Sequence, residues 1–570
     1  MMEQILKNNK LPWWVSGPPG TGKTRGFIKR RFKKYLDKGI SWERIVVLSH
    51  TVNAAKEILK AIKEIPEMKN IPDNALEEQI CTIHSYFKAE SKKREVYDLK
   101  HHKEFCKQNS DMSLVKNGKY KPLKWDKHPL YTFCSRLHGK RQTPQEHWTT
   151  DRAYYCDRGY HTLNSLLRLK YKYDQFKEVK KVKYFEDMIE DFIKHSKAPT
   201  DIDVLIVDEA QDCNIPQVEA LLKAATNVDE NNFFFVGDKD QSIYAYSGAF
   251  NEFFTHLEKY RSYSFKEDEE PLQQGYRCGV TINKICKNII EPQRMKLGLP
   301  AKIWLPAKQG SEIIMGNHHY IPRLNENCKN LEMLLNKILN TKETFLFTYR
   351  GNPTDVHTSE FLRKHGIDYK IVSQPHPFIT RKILRCFNTW QDFYGDKGTS
   401  LKQIKEYWTY LPSKTFKAHG KGNVKEAFKN VIDGTYNIKQ LHAMGFVVDE
   451  ALKFKNFDLA VKKNDDTMKI REQVLYIKKV LRNQDIEEEP RVQHDNIHKI
   501  KGLTYDNVIV NLSVYVPEVD KFEPQRLGYT AYSRGRVDCW TIGSDVFNKR
   551  DPQTSLGAIQ HDRGRIFSIH

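Results

Sequence analysis

A chain of 570 residues, 39% of them apolar and 29 of them glycine, is long enough for several globular units and too apolar to be wholly disordered. Its 93 Lys+Arg against 72 Asp+Glu leave a net charge of +21, which points to a polyanionic partner, nucleic acid or an anionic membrane surface, unless the charge serves solubility alone. No apolar run reaches the ~20 residues of a membrane span, and the N-terminal MMEQILKNNKLPWW lacks the apolar stretch of a secretory signal. None of the ten cysteines stands in a C-x-x-C pair, so an intracellular protein with reduced thiols is expected.

Short apolar strands alternate with helical patterns, which predicts α/β layers. Strands are expected at Trp13–Ser16, Ile45–Ser49, Val204–Val207 and Phe233–Val236, and again at Phe345–Thr348, Val508–Leu512 and Trp540–Gly543. Each is rich in β-branched or aromatic residues and ends in a polar or Gly-rich turn. Two parallel-sheet domains follow. Two long segments interrupt the pattern. Residues 88–183 hold 24 Lys+Arg and 11 Asp+Glu, a net of +13, together with Trp125, Tyr131, Phe133, Trp148, Tyr154 and Tyr155. Cations interleaved with rings suit single-stranded nucleic acid, the cations following phosphates and the rings stacking on bases; equally, the rings can be the insert's own core. His101, His102, Cys106, Cys134, Cys156 and His161 fall in or near this segment, but their spacing fits no compact zinc module. Residues from about 380 to 490 read as mixed helix without a chemical motif.

Gly17-Pro18-Pro19-Gly20-Thr21-Gly22-Lys23-Thr24 matches G-x-x-x-x-G-K-[ST], after a strand and at the start of a helical pattern running from Arg25 to Leu36. The glycines let backbone N–H groups turn inward around phosphate oxygens, and the helix N-terminus adds partial positive charge. Lys23 is placed to reach the β- and γ-phosphates of ATP, and Thr24 to offer its hydroxyl to Mg²⁺. Val204-Leu205-Ile206-Val207-Asp208-Glu209-Ala210-Gln211-Asp212 supplies the complementary half: a buried strand delivers two carboxylates at its C-terminal end, where ligands bind in open α/β sheets. Asp208 suits the Mg²⁺ shell, and Glu209 suits orienting and deprotonating water.

Asp208-Glu209-Ala210-Gln211-Asp212, taken with the motifs that follow, resembles superfamily 1 helicases of the UvrD/Rep/PcrA type, and the match runs in order along nearly the whole chain. Leu48-Ser49-His50-Thr51-Val52-Asn53-Ala54-Ala55 is similar to the family's first DNA-contact motif, with His50 where the family usually has Phe. Thr82-Ile83-His84-Ser85 resembles its T-F-H-S box, and Phe185-Glu186-Asp187-Met188 the helix ahead of the acidic box. Gly237-Asp238-Lys239-Asp240-Gln241-Ser242-Ile243-Tyr244 resembles G-D-x-x-Q-S-I-Y and continues into Ala245-Tyr246-Ser247-Gly248-Ala249, where Tyr246-Ser247 replaces the frequent Trp-Arg. Gln274-Gly275-Tyr276-Arg277 resembles the N-Y-R box. Thr348-Tyr349-Arg350, with Leu362, Gly366, Ile367 and Tyr369, resembles the opening of the second motor domain. Asn496-Ile497-His498-Lys499-Ile500-Lys501-Gly502-Leu503-Thr504-Tyr505-Asp506 resembles T-x-H-x-x-K-G-L-E-F-D, with Thr504 in place of Glu, and Tyr529-Thr530-Ala531-Tyr532-Ser533-Arg534-Gly535-Arg536 resembles Y-V-A-x-T-R-A.

The resemblance implies two RecA-like P-loop domains, parallel sheets flanked by helices, with two mainly helical inserted accessory domains. The first motor domain would comprise residues 1–87 and 184–270 around a basic insertion at 88–183. The second would comprise 271–380 and 491–570 around an insertion at 381–490. It further implies an ATP-dependent, DNA-stimulated enzyme, with ATP between the two domains. Lys23, Glu209, Gln241, Arg277 and Arg534 would be its catalytic residues. Gly17, Pro18, Pro19, Gly20, Thr21, Gly22, Lys23, Thr24, Arg25, Tyr276, Arg277, Gly502, Thr504 and Arg534 would hold the nucleotide, and Thr24 and Asp208 the Mg²⁺. Within that set Tyr276 would stack on adenine, Gln241 and Arg277 would meet the γ-phosphate, and Arg534 would be the arginine finger. Single-stranded DNA and single/double-strand junctions would be the partners, met by His50, Thr51, Thr82, His84, Tyr246 and His498, with movement 3′ to 5′ and roles such as DNA repair or replication. The departures from the bacterial consensus suit a phage or mobile-element member. The same motifs serve a translocase that displaces bound proteins without separating strands, or an RNA-directed motor; the intact Lys23, Glu209 and Arg534 argue against a nucleic-acid-binding protein with a vestigial ATPase.

Overall fold

The computed structural model describes residues 2–90, 95–109, 113–116, 119–122, 129–156, 162–324, 327–349, 353–374, 379–407, 410–411, 416–418, 431–444, 446–448, 456–457, 468–484, 486, 489–511 and 523–543. Among them, no helix is long and apolar enough to cross a membrane. The contacts form two compact units. One holds the described residues up to Gly316 and those from 523 to 537; the other holds those from Asn317 to 511 and from Asp538 to 543.

The first unit is built on five parallel strands, β1 (Trp13–Ser16), β2 (Ile45–Ser49), β3 (Ile80–Thr82), β4 (Val204–Asp208) and β5 (Phe233–Gly237), in the order β1-β5-β4-β2-β3. Successive strand residues face opposite sides of a sheet, and here both sides are apolar. Trp14, Leu48, Leu205 and Phe235 lie in one core layer; Val15, Val47, Ile206 and Phe234 lie in the other. Such a doubly covered parallel sheet reads as continuous apolar runs, which is why four of its strands are visible in the sequence and three-residue β3 is not. Because the strands are parallel, their C-terminal ends share one edge: Ser16 stands opposite Gly237, and Ser49 opposite both Asp208 and Thr82.

Between β3 and β4 the chain makes helices Leu99–Gln108, Pro129–Lys140, Pro144–Cys156 and Leu163–Lys180, and a hairpin of Ser113–Lys116 with Lys119–Pro122. The rings of Tyr97, Phe105, Tyr131, Phe133, Trp148, Tyr155 and Tyr173 are buried there. Tyr131, Phe133, Trp148 and Tyr155 are therefore core of the segment and cannot stack on bases; Trp125 and the Tyr154 side chain lie outside the described residues. His102 Nδ1 bonds Tyr131 Oη at 2.8 Å, and Tyr131 Oη bonds Tyr97 Oη at 2.9 Å, so this histidine belongs to a buried polar chain. No group of three metal-ligating side chains occurs among the described residues, and His161 lies outside them. Helix Val280–Lys296 packs against helix Glu523–Tyr532. The chain stays in the first unit as far as Gly316, past residue 270 where the sequence suggests a boundary.

The second unit has six strands, β6 (His318–Ile321), β7 (Phe345–Tyr349), β8 (Tyr369–Ile371), β9 (Val492–Asn496), β10 (Tyr505–Asn511) and β11 (Gly535–Ile542), in the order β6-β11-β10-β7-β9-β8. The pairs β6/β11, β7/β9, β7/β10 and β8/β9 are parallel. Helices Arg381–Tyr394, Leu401–Tyr407, Ile438–Ala443 and Met468–Val480 and two small antiparallel pairs stand between β8 and β9. Leu512 and Arg350 lie outside the described residues.

Candidate active site and nucleic-acid interface

Gly17 follows β1 directly, and its N–H donates to Gly237 O at 2.9 Å, joining the glycine loop to the end of β5. The loop needs its glycines. Gly20 has φ +69°, and a Cβ there would stand 2.5 Å from Arg277 Cβ. Tyr276 N–H donates to Gly20 O at 2.7 Å, and the Tyr276 ring stands beside Gly22 while remaining 65% exposed. Thr21 Oγ1 donates to Pro18 O at 2.7 Å and tightens the turn. The helix that follows is π-wound over Lys23–Lys29 and α-wound over Arg30–Asp37. Lys23 Nζ rests on Gly17 O at 3.1 Å, at the mouth of the loop. Arg25 is mostly exposed and pairs with Glu64 at 2.6 Å, a carboxylate it shares with Lys29.

Asp208 ends β4 and is buried; its Oδ1 has no hydrogen-bond partner among the described residues. Burial, then the neighbouring Glu209 charge, push its carboxyl well above the ordinary range, and Lys23 pulls it down. The Thr24 hydroxyl is half-buried and makes no hydrogen bond among the described residues. A free carboxylate oxygen and a free hydroxyl at a phosphate loop are the donor set that suits a hard divalent cation such as Mg²⁺. Glu209 adopts φ +51°, a left-handed backbone conformation unusual for a residue with a side chain. Gln211 holds it: Gln211 Nε2 donates to Glu209 Oε2 at 2.5 Å, and Gln211 Oε1 accepts from Asp238 N–H at 3.0 Å. A Cβ at Gly237 would stand 2.0 Å from that amide oxygen, so the glycine makes the room.

Gln241 is buried, donating from Nε2 to Asp238 Oδ2 at 2.9 Å and accepting at Oε1 from Arg534 Nη2 at 3.0 Å. Arg534 is 2% exposed and donates also to Thr530 O and Ser533 Oγ, at 3.0 and 2.8 Å. Arg277 donates to Ser533 O at 3.4 Å. Neither arginine has a carboxylate partner within salt-bridge distance among the described residues. Burial lowers both guanidinium pKa values; for Arg534 the adjacent Arg277 charge adds to the effect and the value falls to about 10. A buried and a half-buried guanidinium, with no acid paired to either among the described residues, suit an anion. Both belong to the same compact unit as the glycine loop, although in sequence they lie on the far side of residue 270.

The residues after β2 and β3 lie along the same sheet edge. Half-buried His50 has its ring 5.9 Å from that of Tyr244. Thr51 caps helix Val52–Ile62, accepting from Ala54 N–H at 3.2 Å. Thr82 bonds Ser85 Oγ at 2.8 Å. His84 contacts Gln217 Nε2 at 3.4 Å and the Phe185 ring at 5.4 Å, and burial lowers its pKa to about 4, which keeps it neutral. Tyr246 falls in the short turn Ala245–Ser247; its side chain is outside the described residues. Gly502, Thr504 and His498 belong to the second unit, in the connection from β9 to β10, where Gly502 and Thr504 are exposed and His498 half-buried. The sequence motifs assign no role to Gln211, Lys302 or Tyr529; Gln211 joins neighbouring Glu209 to Asp238, and Lys302 and Tyr529 meet Asp238 from far away in sequence.

Residues 2–261 match the UvrD/REP helicase N-terminal domain. Over 119 residues, 18% of this chain and 9% of the relative, the sequence is 37% identical to an ATP-dependent helicase/nuclease subunit from Clostridioides difficile (strain 630). Over 90 residues, 15% of this chain and 7% of the relative, it is 33% identical to the protein of the same name from Lactobacillus johnsonii (strain CNCM I-12250 / La1 / NCC 533). The matched stretches thus span less than a tenth of these relatives' own length. Among solved structures, the Arterivirus nonstructural protein 10 helicase superposes with a TM-score of 0.31 at 11% identity, covering 98% of this chain and 64% of that one, too loosely to bear on fold or function. The stretch that matches the UvrD/REP helicase N-terminal domain, residues 2–261, includes the glycine loop, the acidic pair and the Gln241 turn.

Proposed function

We propose that this protein is an ATP-dependent DNA helicase or translocase, built on two RecA-like motor domains with inserted accessory segments. It moves 3′ to 5′ along single-stranded DNA and opens duplex at single/double-strand junctions. The observation that carries the reading is the convergence, at one sheet edge, of a phosphate-cradling loop, a strained acidic residue after β4, and the guanidiniums of half-buried Arg277 and buried Arg534, neither paired with an acid among the described residues.

In this reading the loop N–H groups and Lys23 bind the β- and γ-phosphates. Tyr276, exposed beside Gly22, stacks on the adenine. Thr24 and Asp208 hold Mg²⁺, which neutralises phosphate charge when bound. Glu209, oriented by Gln211, aligns a water and takes its proton as the water oxygen attacks the γ-phosphorus and the bond to the β–γ bridging oxygen breaks. Arg277 and Arg534 meet the charge that spreads over the transferring phosphoryl group, a role worth about 10³–10⁵ in rate. Gln241 joins the phosphate to the sheet edge, where His50, Thr51, Thr82, His84 and Tyr246 face single-stranded DNA; His498, on the second unit, is a further DNA contact. Binding that alternates between the ATP and ADP states moves the protein along the strand. The +13 charge of residues 88–183 adds phosphate contacts, so affinity falls steeply with salt.

The test is ATP hydrolysis with and without single-stranded DNA, together with unwinding of duplexes bearing 3′ or 5′ tails. Stimulation by DNA and opening of the 3′-tailed duplex support the proposal. Stimulation by RNA alone would replace DNA as the track, and stimulation without unwinding would leave a translocase.

A further inference from the structure

Beside the nucleotide residues lies a buried group of charges that the motifs do not explain. Asp238, Asp240 and Glu258 face Lys239, Arg294 and Lys302, three acids and three bases, each less than a tenth exposed. Lys239 pairs with Asp240 at 2.9 Å, Arg294 with Asp240 at 2.7 Å and Glu258 at 2.9 Å, and Lys302 with Asp240 at 2.8 Å and also with Asp238. Buried ion pairs seldom stabilise a fold more than apolar residues of the same volume. Stability alone is therefore a poor reason for the group, and geometry is a better one.

Asp238 is the hinge of that geometry. Its Oδ1 takes the Asp240 N–H at 3.2 Å and the Lys302 ammonium; its Oδ2 takes Gln241 Nε2 at 2.9 Å and the Tyr529 hydroxyl at 2.9 Å. A carboxylate only accepts hydrogen bonds, so it decides which end of the Gln241 amide faces it. With the NH₂ end on Asp238, the carbonyl end points to Arg534 Nη2. Reversed, the amide would set an N–H donor against a guanidinium. Tyr529 is fully buried and lies on the helix Glu523–Tyr532, which leads directly into Arg534; Arg534 Nε returns to Thr530 O at 3.0 Å. The Lys302 ammonium lies 5.0 Å from the centre of the Tyr529 ring, a cation–π distance that ties the two supports of Asp238 together.

We propose that Lys302 and Tyr529 are positioning residues for ATP hydrolysis: through Asp238 they fix the Gln241 amide, and through its carbonyl the Arg534 guanidinium, so that both side chains meet the γ-phosphate in one arrangement. This rests on the ATPase reading above. Tyr529→Phe removes one hydroxyl and keeps the ring. Its kcat for DNA-stimulated ATP hydrolysis is expected to fall about tenfold or more, the loss attributed to a misplaced catalytic group, with KM for ATP and the thermal midpoint within narrow limits of the parent. Lys302→Met should do the same, and Lys302→Arg should recover part of the rate. Lys302→Met leaves Asp238 without its cation and can misfold, so the deciding measurement is a double-mutant cycle with Tyr529→Phe. In a Gln241→Ala background, where there is no amide to orient, Tyr529→Phe should cost less than twofold further. An unchanged kcat in Tyr529→Phe, or an equal loss with and without Gln241, overturns the positioning role while leaving the ATPase reading intact. Absence of turnover in the unaltered protein overturns both.

Discussion

Arg534→Met separates a side chain kept for the phosphate from one kept for the fold. The Arg534 guanidinium is 2% exposed, and burial with the neighbouring Arg277 charge lowers its pKa to about 10. A base whose folded-state pKa lies below its ordinary value holds its proton less tightly when folded, so below that pH its charge opposes folding. At about 1.4 kcal/mol per pKa unit, the penalty at neutral pH is on the order of 3 kcal/mol. Met is apolar and of similar length, so the substitution removes that penalty. It also strips a donor from Gln241 Oε1, Ser533 Oγ and Thr530 O, a loss of about 1–3 kcal/mol. The two effects nearly cancel, and the variant should stay within about 1 kcal/mol of the parent, where truncating a large buried side chain ordinarily costs about 3–5 kcal/mol. ATP turnover should meanwhile fall by about 10³ or more. Denaturant unfolding without nucleotide and steady-state ATPase with single-stranded DNA give the two numbers. A non-hydrolysable ATP analogue should also stabilise the parent more than the variant, since a ligand that binds only the folded state adds stability in proportion to its affinity. Destabilisation by about 3 kcal/mol or more, or turnover within tenfold of the parent, would refute the reasoning.

Lys23→Ala should abolish ATP turnover while single-stranded DNA binding stays within a few-fold, measured by hydrolysis and by fluorescence anisotropy; normal turnover would remove the phosphate-loop assignment. Reversing the exposed Lys100, Lys103 and Lys107 of helix Leu99–Gln108 to Glu should weaken DNA binding. It should also flatten the salt dependence by about 0.7 in log–log slope for each lost phosphate contact, and an unchanged slope would make that helix scaffold only. Burial holds His84, His138 and His318 at about 4. The unfolded chain takes up these protons from about pH 6.5 whereas the folded chain resists, so stability should be full above pH 6.5 and fall as pH drops toward 4. A thermal midpoint constant from pH 7 to 4.5 would contradict it.

The chemistry was more legible than the architecture. The glycine loop and Asp208-Glu209 sit where apolar runs stop, and a parallel sheet buried on both faces announces such runs. Strands that lack them stayed hidden. β9, Val-Gln-His-Asp-Asn, reads as polar, yet His494 is fully buried because Tyr349 and Ser359 bond its two ring nitrogens, each at 3.1 Å. β3 has three residues, too few for a pattern. The rings of the 88–183 segment were ambiguous for a different reason: composition cannot tell a base-stacking ring from a core ring, and Tyr131, Phe133, Trp148 and Tyr155 proved to be core. Gln211, Lys302 and Arg294 act through partners 27 to 64 residues away in sequence, and no local spacing records such pairings. The placement of Arg277 beside the glycine loop and of Arg534 on Gln241 rests likewise on contacts between residues more than 250 apart in sequence, Tyr276 N–H to Gly20 O and Arg534 Nη2 to Gln241 Oε1.

The most direct measurement is ATP hydrolysis by the full chain, titrated with single-stranded DNA. The rate should rise severalfold and saturate, and both basal and stimulated rates should vanish in Lys23→Ala. A protein that binds single-stranded DNA yet hydrolyses ATP at the same slow rate with or without it would contradict a motor driven by this site.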